Sequence, residues 1–404
     1  MFLKNAIEVM TRTHIGAILD KRRANSYELI SVPGLGKSSA VRQYCKKLSR
    51  EINQPTLLVV EMLATLMSAD VRGFLFPTKA SATSGSGNTL DTLFSTPSWY
   101  PVRSNIWVFE PDETIPGGIR EWAPGTWPVE RPLPVVGVVF LDEYGQAEDD
   151  VKKAGAELLL HGQVGTTILP MNIRVIAASN RMNDRSGVLR PLMFVINRRG
   201  ELPIEPSLSC WKEWEGSLPP GHPEKPHFLT VAFADREAGL VFRSEVPPGT
   251  GPFCTPRTLV MMDQELRALR TQEQIDQDKL PMDPVAREVV SGWIGKGEGA
   301  QYFAHLQFAD QLPDFQDILN NPGTAKVPQE SSAQMICAYM LAHHIEEDNA
   351  AVLLRYLNRL KADMQILAVR TINLKLDKAQ ALSLVPEYNS WCIRHADVLK
   401  ASNA

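Results

Sequence analysis

Residues 27–48 read YELISVPGLGKSSAVRQYCKKL, which is a short apolar run, a glycine-rich turn and an amphipathic segment. The apolar run, 27–32, has the composition of a buried strand. Beyond the turn, four apolar residues recur at the spacing of one helix face: Val41, Tyr44, Cys45 and Leu48. A strand that leads through a glycine loop into a helix is the order of elements that a phosphate site requires.

The turn fits the Walker A phosphate-binding loop, with Ser31 where Gly or Ala usually stands. Its two glycines let backbone N–H groups surround the phosphates, and the helix that follows points its positive end at them. Lys37 would neutralise the β and γ oxygens, and the Ser38 hydroxyl would bind Mg²⁺. We therefore expect ATP and Mg²⁺ as ligands, with these nucleotide-binding residues: Pro33, Gly34, Leu35, Gly36, Lys37, Ser38 and Ser39.

A second apolar run, 138–143, ends in two adjacent carboxylates, as a Walker B strand does. Parallel buried strands deliver their last residues to one edge of a sheet, so these acids should lie beside the phosphate loop. Asp142 would then join Ser38 on Mg²⁺, and Glu143 would orient and polarise a water molecule. Alternatively, the two acids could cap a helix. The Walker A loop earlier in the chain disfavours that interpretation.

Further polar residues follow apolar segments downstream. The run 173–180 ends in Asn180, which would lie between the γ-phosphate and the attacking water, although a turn-capping Asn is the alternative. Arg198 and Arg199 follow another apolar segment, and Arg257 begins a helical pattern. An arginine close to a phosphate stabilises transition-state charge. Position alone does not separate these three arginines from solvated ones.

The overall composition narrows the class of protein. The net charge is −4 and the longest basic block is 21–23, so the chain lacks the basic footprint of a dedicated nucleic-acid binder. The five cysteines form no C-x-x-C pair, which disfavours disulfides and zinc clusters and favours the cytoplasm. No apolar run approaches the ~20 residues of a membrane span. The pair His343 and His344 lacks a third ligand at a matching spacing, so we expect it at the surface.

Alternating strand and helix patterns over 27–180 predict an α/β fold with a parallel sheet, whose strands we expect at 27–32, 56–60, 135–141 and 173–178. Within this region the composition shifts to Ser, Gly, Pro and Trp, which predicts an insertion with loops that includes the Ser/Gly tract 81–87. Four tryptophans of the insertion could grip a substrate or pack the segment: Trp99, Trp107, Trp122 and Trp127. Beyond a Pro-rich stretch at 218–226, the patterns 258–270, 331–344 and 350–367 are helical.

Taken in order, these motifs resemble the MoxR-like, dynein-related branch of AAA+ ATPases, of the bacterial and bacteriophage type. The resemblance covers about residues 1–270. It rests on six segments: 32–38, 68–73, 137–143, 158–169, 180–187 and 254–257.

The resemblance implies a P-loop NTPase core with an ATP site at the subunit interfaces of a hexameric ring. It implies that Asn180 is sensor one, that Arg198 is the arginine finger, with Arg199 as the alternative, and that Arg257 is sensor two. With the patterns above it divides the chain into three parts: an α/β ATPase core, 1–205, with an insertion at about 62–134; a linker and helical lid, 206–270; and a helical C-terminal region, 271–404.

Family members commonly remodel or assemble proteins, often with a partner that carries a von Willebrand factor A domain. By resemblance we expect a Mg-dependent ATP hydrolase that acts as a chaperone on a protein partner. The alternative is a nucleic-acid-translocating motor of the McrB type, which the net charge disfavours. A third hypothesis is a scaffold protein that does not hydrolyse ATP. It is disfavoured because Lys37, Asp142 and Glu143 are all present.

Overall fold

The computed structural model describes residues 1–79, 90–115, 117–184, 187–188 and 199–396, with the backbone alone over 75–79, 90–94 and 376–377. The chain separates into two compact units. The first comprises Met1–Pro206 and Ser244–Val246, and the second comprises Ser207–Arg243 and the chain from Pro247 onward. The division into core, lid and C-terminal region remains a prediction.

The first unit is a mixed α/β structure. Its described strands are β1 (Tyr27–Ser31), β2 (Thr56–Met62), β3 (Leu75–Lys79), β4 (Leu90–Phe94), β5 (Ile106–Pro111), β6 (Ile119–Trp122), β7 (Gly137–Asp142), β8 (Gln163–Val164), β9 (Thr167–Ile168), β10 (Ile173–Asn180) and β11 (Gly200–Pro203). Its described α-helices are α1 (Leu3–Leu19), α2 (Lys37–Ile52), α3 (Ser68–Arg72) and α4 (Asp149–His161). Short 3-10 helices span Leu63–Thr65, Tyr144–Gln146 and Met182–Asp184.

Seven strands form one sheet in the order β11-β1-β10-β7-β2-β5-β6. The first five run parallel to one another. β5 continues the sheet antiparallel to β2, and β6 runs antiparallel to β5. The register pairs Ser31 with Asn180 and Met62 with Asp142, so the carboxyl ends of these strands meet at one edge. The predicted α/β fold class with a parallel-sheet core is confirmed.

The sheet is apolar because both of its faces are covered. On one face, Val139 and Val175 belong to a core cluster with residues of α4. On the other face, Val138 and Ile176 belong to a cluster with residues of α1 and α2. Gly137 begins β7 where a Cβ atom would lie 2.2 Å from the carbonyl oxygen of Leu57, so the close approach of β2 requires glycine there.

The predicted insertion contributes to the sheet, because β5 and β6 lie within it. Its tryptophans support the packing interpretation: Trp99 and Trp127 are 1% and 3% exposed. The indole of Trp99 donates to the carbonyl of Val71 at 2.6 Å, and the Arg131 guanidinium lies over the Trp127 ring. The Ser/Gly tract 81–87 lies outside the described residues.

The regular elements described in the second unit are all helices. Its α-helices are α5 (Leu208–Ser217), α6 (Phe228–Arg236), α7 (Ala238–Val241), α8 (Pro256–Ala268), α9 (Gln272–Asp276), α10 (Pro284–Ile294), α11 (Lys296–Leu306), α12 (Phe315–Asn320), α13 (Ser331–His344), α14 (Ala350–Leu357), α15 (Ala362–Leu374), α16 (Leu376–Leu382) and α17 (Pro386–Arg394). A 3-10 helix spans Gln307–Gln311. None of the described helices in either unit combines the length and apolar character that crossing a bilayer demands.

The helical pattern predicted over 350–367 corresponds to two helices, because the chain breaks between α14 and α15. Partners from elsewhere in the unit satisfy polar groups at the break. The side-chain oxygen of Gln334 accepts from the backbone N–H of Lys361 at 3.1 Å. The Asn358 side chain accepts from the Trp391 indole at 3.0 Å. The bond from Gln334 satisfies a backbone group at the break, and the bond from Trp391 fixes a side chain there.

Candidate nucleotide-binding site

The glycine loop joins β1 to α2 at the carboxyl edge of the sheet. Gly34 and Gly36 have φ values of 80° and 83°, in the left-handed region that glycine adopts at little cost. Gly36 is also the N-cap of α2, without a side-chain cap, and no acidic residue lies in the first turn. Since no side chain of the helix neutralises its positive end, that end suits an anion such as a phosphate.

Lys37 is the first residue of α2 and is only 9% exposed. Its ammonium donates to Ser31 Oγ at 3.0 Å and to Asn180 Oδ1 at 2.8 Å. These acceptors end the neighbouring strands β1 and β10. The Ser31 hydroxyl donates in turn to the carbonyl of Val32 at 2.8 Å. The residue that departs from the Walker A pattern therefore helps to hold the lysine.

Ser38 and Asp142 are brought together although they are far apart in the sequence. Ser38 Oγ donates to Asp142 Oδ2 at 2.6 Å, and Asp142 Oδ1 accepts from the Glu143 backbone N–H at 2.9 Å. A hydroxyl and a carboxylate side by side are hard oxygen ligands of the kind that Mg²⁺ prefers. The residues present thus fit the expected magnesium ion.

Glu143 follows Asp142 with a φ of 54°, which is unusual for a residue other than glycine. Such a left-handed conformation costs on the order of 1–2 kcal/mol and often marks a functional position. The Glu143 carboxylate makes no hydrogen bond or ion pair with any residue that the structure describes. An acid at the sheet edge that no described residue engages is suited to polarising water.

A buried ion pair contacts Ser179, which directly precedes Asn180 in the sequence. The Glu28 carboxylate contacts both the Ser179 hydroxyl and the Arg199 guanidinium. The side chains of Glu28 and Arg199 are 3% and 4% exposed. Burial raises the pKa of the Glu28 carboxyl, and the neighbouring Arg199 opposes that rise. Arg199 is therefore held by a residue of its own unit. Arg198 lies outside the described residues.

Of the remaining predicted site residues, Ser39 and Arg257 are exposed, Pro33 is half-buried and Leu35 is buried. Ser39 lies on the first turn of α2 with its side chain toward solvent. Arg257 belongs to the second unit, where it is the second residue of α8, after the N-cap Thr255. Arg257 is exposed and forms no ion pair with a described residue.

Sequence reasoning missed the polar groups behind the site. One signal was available for Glu28, which is a charged residue inside the otherwise apolar strand β1. A second buried group, Lys152 on α4, is 2% exposed, and its ammonium has no hydrogen-bond partner among the described residues. Burial lowers the pKa of Lys152. No motif in the sequence marks it.

Comparison with known proteins gives no family assignment, since neither a family model nor a curated protein matches the chain. Solved structures similar to it include RuvB, a Holliday junction branch migration motor from Thermotoga maritima, at 14% identity and a TM-score of 0.32, covering 78% of this chain and 74% of that one. A mutant of that RuvB is similar at 14% identity and a TM-score of 0.35, covering 78% of this chain and 74% of that one.

A putative ATPase from Cytophaga hutchinsonii is similar at 11% identity and a TM-score of 0.29, covering 90% of this chain and 78% of that one. Because these scores are low, we base the functional proposal on the geometry of the site.

Proposed function

We propose that the protein is a P-loop ATPase of the AAA+ type that hydrolyses ATP with Mg²⁺. The observation that carries the proposal is the 2.6 Å hydrogen bond from Ser38 Oγ to Asp142 Oδ2. It joins the start of α2 to the end of β7. Lys37 directly precedes Ser38 in the sequence, and Glu143 directly follows Asp142. Phosphate binding, metal binding and activation of water need these four groups at one edge of a sheet.

Each side chain then has one task. Lys37 neutralises phosphate oxygens, as its position at the start of α2 allows. Ser38 and Asp142 hold Mg²⁺, which when bound screens the phosphate charge. Glu143 orients and polarises the attacking water. Asn180, whose amide oxygen is 2.8 Å from the Lys37 ammonium, is suited to sensing whether a phosphate has engaged that lysine.

The finer proposal is a hexameric ring in which a subunit completes its neighbour's site with Arg198. The burial of Arg199 supports Arg198 over Arg199 for this role. We assign Arg257, which is exposed on the second unit, to sensor two of a helical lid. We propose a protein substrate or adaptor, including one with a von Willebrand factor A domain, and a cytoplasmic setting.

The experiment that tests the proposal is a measurement of ATP turnover by the full chain with Mg²⁺ and with a chelator. We expect Mg-dependent release of phosphate. Absence of turnover at concentrations where the protein forms rings would contradict hydrolysis. The same assay with duplex or single-stranded DNA at a fixed low salt concentration tests the substrate class. Stimulation by DNA would overturn the protein-remodelling proposal in favour of a nucleic-acid motor.

A further inference from the structure

Three potential metal ligands converge in the second unit. His343, His344 and Asp278 each offer one ligand atom, and these atoms lie within 4.8 Å of one another. The two histidines end α13, whereas Asp278 follows α9 much earlier in the chain. The histidines are half-buried, so the expectation of a surface pair is wrong. No third ligand lies at a matching spacing in the sequence, but the fold brings Asp278 to the pair.

The Asp278 carboxylate is held from both sides. Its Oδ2 atom lies 3.0 Å from His344 Nε2, and its Oδ1 atom lies 3.0 Å from His227 Nε2. Arg270 adds a contact of 3.5 Å to Oδ1. His227 Nδ1 accepts the backbone N–H of Leu229 at 3.2 Å, so its Nε2 carries the proton and donates to Asp278. His227 and Arg270 thereby orient the carboxylate through Oδ1, while Oδ2 faces His344.

His343 is the ligand candidate without another task. Neither of its ring nitrogens hydrogen-bonds to a residue that the structure describes. Its ring lies between aromatic groups, with centroids 4.9 Å from His344 and 5.9 Å from Phe228. An imidazole next to a second imidazole and an oriented carboxylate, with no described residue hydrogen-bonded to its nitrogens, resembles an incomplete coordination sphere.

We propose that His343, His344 and Asp278 bind a divalent transition-metal ion of the Zn²⁺ class. Two imidazoles and one carboxylate form a ligand set that suits Zn²⁺ and leaves a fourth position for water. His344 would then carry its proton on Nδ1, because Nε2 would turn its lone pair to the ion. His227 and Arg270 would keep the carboxylate in place, as outer partners of metal ligands commonly do.

The charged side chains around the site affect the affinity for Zn²⁺ that we expect. Arg270 lies beside Oδ1, and the Lys375 ammonium is nearby, donating to the carbonyl of Ala342 at 3.3 Å. These positive side chains repel a metal cation. The affinity for Zn²⁺ should therefore be lower than that of a site built from acids and histidines alone. The ion would join the loop after α9 to the end of α13. Its effect should therefore be to stabilise the second unit.

The test is calorimetric titration of the full, chelator-treated chain with Zn²⁺ in excess Mg²⁺, so that the Ser38 and Asp142 site does not contribute. We expect one Zn²⁺ per chain and a rise in the unfolding temperature. In His343→Ala the affinity should fall by more than about tenfold. This variant loses no hydrogen bond to a described residue, which makes it a clean probe. The exposed His161→Ala serves as the matched control and should bind like the wild type.

A second variant and a second probe keep the test decisive. His343→Gln retains much of the side-chain volume and should also lose the ion, which covers the case in which His343→Ala does not fold. Co²⁺ bound by the wild type should give the visible absorption of a four-coordinate ion, absent in His343→Gln. If the wild type binds no Zn²⁺, or if His343→Gln and His161→Ala bind it equally well, the site does not exist. Neither result depends on ATP hydrolysis.

Discussion

At the scale of single residues, we expect the buried histidine His14 to make the first unit less stable in acid. His14 is fully buried; its Nδ1 lies 2.6 Å from the Tyr44 hydroxyl and its Nε2 lies 3.1 Å from the Asn172 carbonyl. Burial, followed by the charge of Arg174, lowers its pKa to about 4. A histidine with a lowered pKa binds fewer protons in the folded state. The stability that it contributes is therefore present above about pH 6.5 and is lost as the pH falls toward 4.

We expect this effect to reach on the order of 3 kcal/mol in the free energy of unfolding at the acid end of that window. The measurement is denaturant unfolding of the first unit at pH 7 and at pH 4.5, for the wild type, His14→Gln and the exposed control His161→Gln. His14→Gln should be less stable at pH 7 but should lose less on acidification. An identical pH dependence for all three proteins would show that His14 is not the sensitive group.

The residues around the site show what the sequence could predict at this scale. Lys37, Ser38 and Asp142 belong to motifs whose spacing carries the chemistry, so their neighbourhood follows from strand order. The partners Glu28 and Arg199, or Asp278 and His344, are joined only by the fold. No local pattern links residues so far apart. Their pairing could not be read from one sequence.

At the scale of elements, the Glu28–Arg199 pair ties β1 to the start of β11. We expect Arg199→Met to lower the free energy of unfolding by about 3–5 kcal/mol, because it leaves a buried carboxylate without its cation. The double variant Glu28→Gln with Arg199→Met should recover part of that loss. The exposed Arg22→Met is the matched control and should change stability little. Denaturant unfolding gives the stability of all three variants. An Arg199→Met protein as stable as the wild type would mean that Arg199 does not stabilise the first unit through Glu28.

The elements themselves were predictable where one periodicity dominates. The strands predicted at 27–32, 56–60, 135–141 and 173–178 are found with ends within two residues of the expected ones. β5 and β6 were missed because they lie among Pro, Gly and Trp residues and join the antiparallel side of the sheet. The break between α14 and α15 was missed because its stabilising partners, Gln334 and Trp391, come from other helices.

At the scale of the whole molecule, a ring predicts that inactive subunits can complement each other. Arg198→Ala should bind ATP but not hydrolyse it, and Lys37→Ala should fail to bind it. In a mixed ring, some interfaces combine an intact nucleotide pocket with an intact arginine. We therefore expect partial ATPase activity to return on mixing, measured at concentrations where mixed oligomers form.

The control for this mixture replaces Arg198→Ala by Glu143→Gln. That variant carries its defect in the pocket, as Lys37→Ala does, so no interface in their mixed ring has a complete pocket. Activity should stay absent. Recovery in neither mixture, although mixed oligomers are present, would contradict the assignment of Arg198 to a neighbouring site.

The most direct test of the central claim compares ATP binding with ATP turnover in Lys37→Ala, Glu143→Gln and the control Glu148→Gln, whose residue is the N-cap of α4. Lys37→Ala removes charge that the bound phosphates need, so it should lose ATP binding. Glu143→Gln removes only the group that acts on water, so it should bind ATP normally and lose turnover by at least about a hundredfold. The control should retain both. Equal loss of ATP affinity in Lys37→Ala and Glu143→Gln, or normal turnover in Glu143→Gln, would contradict the proposed ATPase site.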